Sequence, residues 1–198
     1  MICHKHKCIF IHIPRTGGTS IELSIRPDWI FQNFPDEKHI LASTAKLLYK
    51  DYWDDYFKFS FVRNPWSRMV SMTKHSYFYG CKMKNGKLDV SEYEKKFKKV
   101  EIDSRSISEG EKVNAISNAV YLNILNEELD FIGRFENIQE DYNQVCSIIN
   151  CSNDLLHEES SGPKRKHCYT EYYDEETKST VAEKYRKDIE YFGYKFGE

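Results

Sequence analysis

The sequence predicts a three-layer α/β/α domain with a mainly parallel sheet, on three observations. Cys8–Ile13 (CIFIHI) is short and almost wholly apolar, rich in β-branched and aromatic residues, as suits a strand buried on both faces. Phe57–Val62 (FKFSFV) and Asp130–Phe135 (DFIGRF) are two further strand-like runs. Each of the three is followed by apolar residues at helical spacing, and strands alternating with helices imply parallel pairing through crossovers.

In chain order, Cys3, His4, His6 and Cys8 stand at the lip of the first strand. No second cluster completes a tetrahedral set, so they read as a solvated N-terminal arm and not as metal ligands. Pro14 ends the strand because it has no N–H to continue a ladder. Arg15, Thr16, Gly17, Gly18, Thr19 and Ser20 follow, and Ile21, Leu23 and Ile25 then open a helix. Strand, glycine turn and helix start form an anion site: the glycines allow close backbone approach, and the positive end of the helix dipole faces the same spot. This is a phosphate loop, which makes the fold class P-loop-type. It is not the Walker form, whose lysine follows the last glycine; here the cation, Arg15, precedes the glycines.

Arg26–Pro35 reads as a loop, and Ile40–Tyr49 as a helical segment with Ser43 as its cap. After the Phe57–Val62 strand, Asn64 is a helix cap and Pro65 occupies the favoured first position. Trp66, Met69, Val70, Thr73 and Tyr77 form the buried stripe of that helix. Gly80–Lys87 is a turn-rich exit containing Asn85-Gly86. Ser91–Lys99 reads as a polar surface helix, Glu101–Lys112 as a mobile loop and Val113–Leu125 as a helix. Glu136–Ile149 is an amphipathic helix, Cys151–Thr170 a polar connection, and Asp174–Phe192 a final helix with acids in its first turns.

At 198 residues the chain is expected to form a single domain, with residues 80–112 an acceptor-side insertion or mobile loop. Charge is nearly balanced, 29 Lys+Arg against 31 Asp+Glu, which gives no reason to expect nucleic acid as a partner. No apolar run approaches the ~20 residues that span a bilayer, and Cys8–Ile13 is too short for a signal-peptide core. The expectation is a soluble, cytoplasmic protein whose six scattered cysteines are reduced.

Two motifs in order carry a resemblance. The loop PRTGGTS and the strand-to-helix stretch FSFVRNPWSRMVS resemble those of sulfotransferases that use 3′-phosphoadenosine 5′-phosphosulfate (PAPS). DFIGRFENIQEDYNQVC and YTEYYDEETKSTVAEKYRKDIEYFGY resemble late segments of the Golgi-type carbohydrate O-sulfotransferases, the heparan and chondroitin relatives, and their bacterial and viral cousins. The resemblance spans most of the chain and is weakest over 80–112. It implies that Arg15, Thr16, Gly17, Gly18, Thr19 and Ser20 hold the 5′-phosphosulfate, and that Arg63 and Ser71 hold the ribose 3′-phosphate. It further implies that His39, in KHILASTAK, is the general base, with Glu136 as the alternative. Two features depart from the family: Arg15 stands where a lysine is usual, and the transmembrane anchor of the Golgi members is not seen.

The expected activity is transfer of a sulfuryl group from PAPS to a hydroxyl of a carbohydrate or glycolipid, by in-line displacement, with no metal required. His39 takes the acceptor proton, and Arg15 stabilises charge on the departing phosphate without being able to donate a proton. Arg165 and Lys166, with Lys164, read equally as a phosphate or acceptor contact and as a solvated basic turn. His12 and Trp66 read as core, and Arg68 as a packed or acid-paired residue. Two other functions fit the fold class. A small-molecule P-loop kinase would need a lysine after the glycines and an acidic Mg²⁺ ligand. A non-catalytic nucleotide-binding module would keep the pocket without turnover. The sequence names neither the acceptor nor the oligomeric state.

Overall fold

A computed structural model describes residues 1–27, 38–73, 82–91, 119–156 and 168–198. Its elements are β1 (Ile2–Cys3), β2 (Cys8–Ile11), α1 (Gly18–Ile25), α2 (Ala42–Leu48), β3 (Phe57–Val62), α3 (Pro65–Met72), β4 (Lys82–Lys84), β5 (Lys87–Asp89), α4 (Tyr121–Ile124), β6 (Phe131–Arg134), α5 (Ile138–Ile149), α6 (Glu175–Lys184) and α7 (Arg186–Phe192). The described residues fall into two compact units, one from Met1–Val62 and Asn123–Gly162, the other from Arg63–Leu122 and Pro163–Glu198.

The first unit holds a sheet of order β1-β2-β3-β6, in which β2, β3 and β6 are parallel and β1 runs antiparallel to β2. The chain is thus mixed α/β with a mainly parallel sheet, as the strand-helix alternation predicts. Cys8 and Phe10 of β2 and Phe59 and Phe61 of β3 share one apolar cluster with Ile21 and Ile25 of α1 and with Tyr142, Val145, Cys146 and Ile149 of α5. Two helices therefore cover the sheet face carrying those side chains. Ile9, Ile11 and Val62, on the alternate positions, are buried as well.

Four local expectations change. The N-terminal arm is solvated only in part: His4, Lys5 and Lys7 are exposed, but Cys3 pairs with Cys8 across β1 and β2, both residues are buried, and Met1 N donates to Phe10 O at 2.9 Å. An apolar Met1-Ile2-Cys3 gains more from covering the sheet edge than from hydration. Ser43 is not the cap of α2; Leu41 stands there, and the Ser43 N–H is met by Asn126 Oδ1 at 2.9 Å, from 83 residues away. The final helix is broken at Tyr185 (φ −96°, ψ 18°) into α6 and α7. Within Val113–Leu125, only α4 is helical among the described residues.

In the second unit, Asn64 Oδ1 accepts from Trp66 N at 3.2 Å with Pro65 at the first helical position, so α3 starts as its sequence dictates. Trp66, Met69, Val70 and Met72 pack with Leu88, Val90, Tyr173, Val181 and Tyr185. Arg68 is buried and packs as expected, with its guanidinium 4.9 Å from the Tyr121 ring centroid. Asn85 and Gly86 both have positive φ (50° and 77°), which closes β4 onto β5 as a two-residue hairpin. The expected loop at 26–35 (largely), the helix after Ser91, the loop at 101–112, Tyr77 and the basic run at 164–166 lie outside the described residues.

Phe59 is fully buried, stacked on Phe10 at 4.9 Å and edge-on to Phe61 at 6.4 Å. Phe59→Ala should cost about 3–5 kcal/mol of stability. Urea unfolding followed by far-UV circular dichroism checks this; a loss below about 1 kcal/mol would contradict a core centred on β3.

Candidate functional site

The loop between β2 and α1 is shaped by two left-handed residues, Arg15 (φ 70°) and Gly17 (φ 84°). A left-handed arginine costs on the order of 1 kcal/mol, and such strain concentrates where a backbone is held for a ligand. A side chain at Gly17 would collide with Ile138 and press on Phe135, 3.2 Å from its Cδ2; one at Gly18 would collide with the His12 ring. The glycines are therefore required twice, by backbone angle at Gly17 and by close packing at both positions. Thr16 is fully buried and its Oγ1 donates to Ile13 O at 2.9 Å, so its hydroxyl closes the loop on itself. Thr19 and Ser20, in the first turn of α1, keep partial exposure. With their N–H groups at the positive end of α1, they can meet an anion.

Behind the loop lies a polar cluster. His12 and Glu22 are buried, with His12 Nδ1 3.0 Å from Glu22 Oε1. Lys38, also buried, places Nζ 3.9 Å from Glu22 Oε2 and donates to Thr19 Oγ1 at 3.2 Å. His39 Nδ1 donates to His12 O at 3.1 Å, and its ring stands edge-on to His12 with centroids 4.5 Å apart. That bond fixes the neutral tautomer: Nδ1 carries the proton and Nε2 keeps the lone pair. Burial holds the His12 imidazole below its ordinary pKa against the pull of Glu22. Burial, together with its neighbour His12, holds half-buried His39 well below its ordinary value. For Glu22, burial works upward, but the hydrogen-bonded contact with His12, helped by Lys38, outweighs it and holds the carboxyl below its ordinary pKa. So Arg15, the loop, Lys38 and His39 stand within one unit, and His39 is a proton acceptor at neutral pH.

Of the other sequence candidates, Arg63 follows β3 directly and donates from Nε to Ser67 Oγ at 3.0 Å; Ser71 is buried in α3. Both belong to the second unit. Glu136 is exposed in the 3₁₀ turn before α5. Arg165 and Lys166 lie outside the described residues. Sequence reasoning missed Glu22 and Lys38. A signal for Glu22 existed: it falls on the buried stripe of Ile21 and Ile25, opposite a histidine in an otherwise apolar strand. Among the described residues, no group of three or more His, Cys, Asp or Glu is arranged to hold a metal ion.

Two histidines held neutral by burial have a pH signature. Below pH ~6.5 the unfolded chain binds protons that His12 and His39 refuse, so the folded state loses stability as pH falls. The slope approaches about 1.4 kcal/mol per pH unit for each histidine. Thermal unfolding between pH 7 and 5 should show a shallower slope for His39→Gln than for wild type; identical slopes would mean that His39 is not held neutral.

No curated protein and no solved structure matches the chain. A family model does: that of the sulfotransferase family covers residues 1–195, almost the whole length and both units. On that match, the chain belongs to the sulfotransferase family.

Proposed function

We propose that the protein moves a sulfuryl group from PAPS to a hydroxyl, that of a carbohydrate or glycolipid, with His39 as general base. The proposal takes the domain as P-loop-type, with the loop from Arg15 to Ser20 receiving the 5′-phosphosulfate and Arg63 and Ser71 receiving the 3′-phosphate. The observation that carries it is the His39 Nδ1–His12 O bond beside the loop, which leaves Nε2 as a lone-pair acceptor. As the acceptor oxygen attacks sulfur, its proton passes to Nε2. The bond from sulfur to the 5′-phosphate oxygen breaks, with its electron pair going to that oxygen. Arg15 and the N–H groups of the loop meet the charge that develops there. No covalent enzyme intermediate is needed, because positioning and charge stabilisation supply the rate. Support for PAPS over other donors comes from the family and from the RNPWSRMVS motif.

The carbohydrate acceptor rests on the likeness of the late segments to carbohydrate O-sulfotransferases. A screen of transfer from labelled PAPS over sugars, glycolipids and phenols tests it; transfer to phenols alone would reject the acceptor class. Transfer of phosphate from ATP–Mg²⁺ would favour the kinase, and tight bisphosphate binding without any transfer would favour a non-catalytic module.

Two variants divide the roles. Arg63→Ala should weaken adenosine 3′,5′-bisphosphate by roughly 2–5 kcal/mol, the range for losing one partner of a desolvated charge pair. It should hardly change adenosine 5′-phosphosulfate; calorimetry with both ligands decides, and parallel losses would make Arg63 structural. His39→Ala should lower kcat by about 10²–10⁴ with bisphosphate affinity nearly intact. Because His39 is held well below its usual pKa, the wild-type rate should stay level through pH 6.5 and fall only in more acid buffer. A rate that halves near pH 6.5 or above would remove His39 as the base.

A further inference from the structure

Four of the six cysteines, scattered in sequence, meet in the first unit: Cys3, Cys8 and Cys146 share one apolar cluster, and Cys151 packs against it. Cys3 faces Cys8 across β1 and β2. Cys146 is in the last turn of α5 and Cys151 just beyond it, with Cys151 Sγ donating to Cys146 Sγ at 3.1 Å. The backbone holds the two there. α5 stops at Asn150, whose left-handed φ of 52° turns the chain, and Cys151 N donates to Cys146 O at 3.2 Å. A disulfide needs Cα atoms about 4.4–6.8 Å apart, a range that a direct backbone hydrogen bond between the residues enforces, and sulfurs about 2.05 Å apart. The sulfurs have only about 1 Å to close. Cys146 Sγ donates to Ser152 O at 3.2 Å, and Tyr142 OH donates to the same oxygen at 3.4 Å, so losing the thiol proton still leaves that oxygen a donor. Cys151 is half-buried and Cys146 buried, so a small reagent meets Cys151 first. Burial, with the bond to Cys146, pushes the Cys151 thiol up to about 12, which makes the thiolate scarce and the chemistry slow. Cys3 is the competitor: its thiol is held down to about 6, chiefly by the hydrogen bond from Cys8, but both of these residues are shut off from solvent.

We propose that Cys146 and Cys151 are an oxidisable dithiol: they form an intramolecular disulfide by exchange with a low-molecular-weight disulfide such as oxidised glutathione, and the bond fastens the C-terminal turn of α5. The Cys151 thiolate attacks one sulfur of the reagent, whose S–S bond breaks, and one glutathione thiolate leaves with the electron pair. The Cys146 thiolate then attacks the Cys151 sulfur of the mixed disulfide and displaces the second glutathione thiolate. The protons given up by the two cysteines end on the two glutathione thiolates. Two protein thiols are thereby oxidised to one disulfide, and one glutathione disulfide is reduced to two thiols. Tyr142, Val145 and Ile149 of α5 share their cluster with Ile21 and Ile25 of α1, so the bond secures a helix that covers the sheet.

The full chain is reduced, unfolded in urea and refolded in mixtures of reduced and oxidised glutathione, so that burial does not limit access. Free thiols are trapped by alkylation and the bonds mapped by peptide mass spectrometry. The expected product is a Cys146–Cys151 bond, with the loss of two hydrogen atoms and no glutathione retained. Cys146→Ser should instead keep one glutathione on Cys151. Because a bond that stabilises the fold is in turn favoured by the fold, half-oxidation of the folded chain should need about 5- to 100-fold less oxidised glutathione than the same chain kept in urea. Equal requirements in the two states would mean that the fold does not bring the thiols together, and would overturn the proposal. A Cys3–Cys8 bond in its place, wild-type chain that keeps glutathione on Cys151 beside a free Cys146, or two free thiols in fully oxidised glutathione would also overturn it.

Discussion

A buried carboxylate must be kept company, and the loop region of this protein is built around one, Glu22. Its oxygens lie 3.0 Å from His12 Nδ1 and 3.9 Å from Lys38 Nζ. Each contact sets something further. Because His12 is drawn against α1, its ring fills the space beside Gly18 and makes a side chain impossible there. Because His12 is fixed, its carbonyl holds the His39 imidazole in one tautomer. Because Lys38 is drawn inward, an ammonium stands against Thr19 at the start of α1. Burying that charge costs stability, and in return it positions all three of these groups.

The sheet serves the same end. β2 and β3 run parallel, and the chain leaves β2 at Ile11 toward the loop and leaves β3 at Val62 toward Arg63. In open parallel sheets ligands gather beyond the carboxyl ends of strands, and the loop occupies such a position. The Phe10, Phe59 and Phe61 rings pack against one another within the same sheet.

Much of this was legible in the sequence where the determinant is local. β3 spans the residues its alternation marks, and Asn64-Pro65 start α3 because a cap and a first-turn proline act within a few residues. The glycine loop was legible for the same reason. What was not legible depends on partners distant in the chain. Asn126 meets the Ser43 N–H from 83 residues away, so Ser43 looked like its own cap. The N-terminal residues looked like an arm because only the sheet shows an edge for them to cover. Lys38 looked like one lysine among many until the fold placed it on Thr19. His12 read as a core residue and Glu22 was passed over, and the fold shows that they share one cluster.

The central question is whether the loop seats a 5′-phosphate beside His39. A crystal structure of the protein with adenosine 3′,5′-bisphosphate measures this directly. The 5′-phosphate is expected within hydrogen-bond reach of the Gly18 and Thr19 N–H groups, with His39 Nε2 facing the side from which an acceptor would approach. A bisphosphate bound with its 5′-phosphate away from the loop would contradict the proposed function.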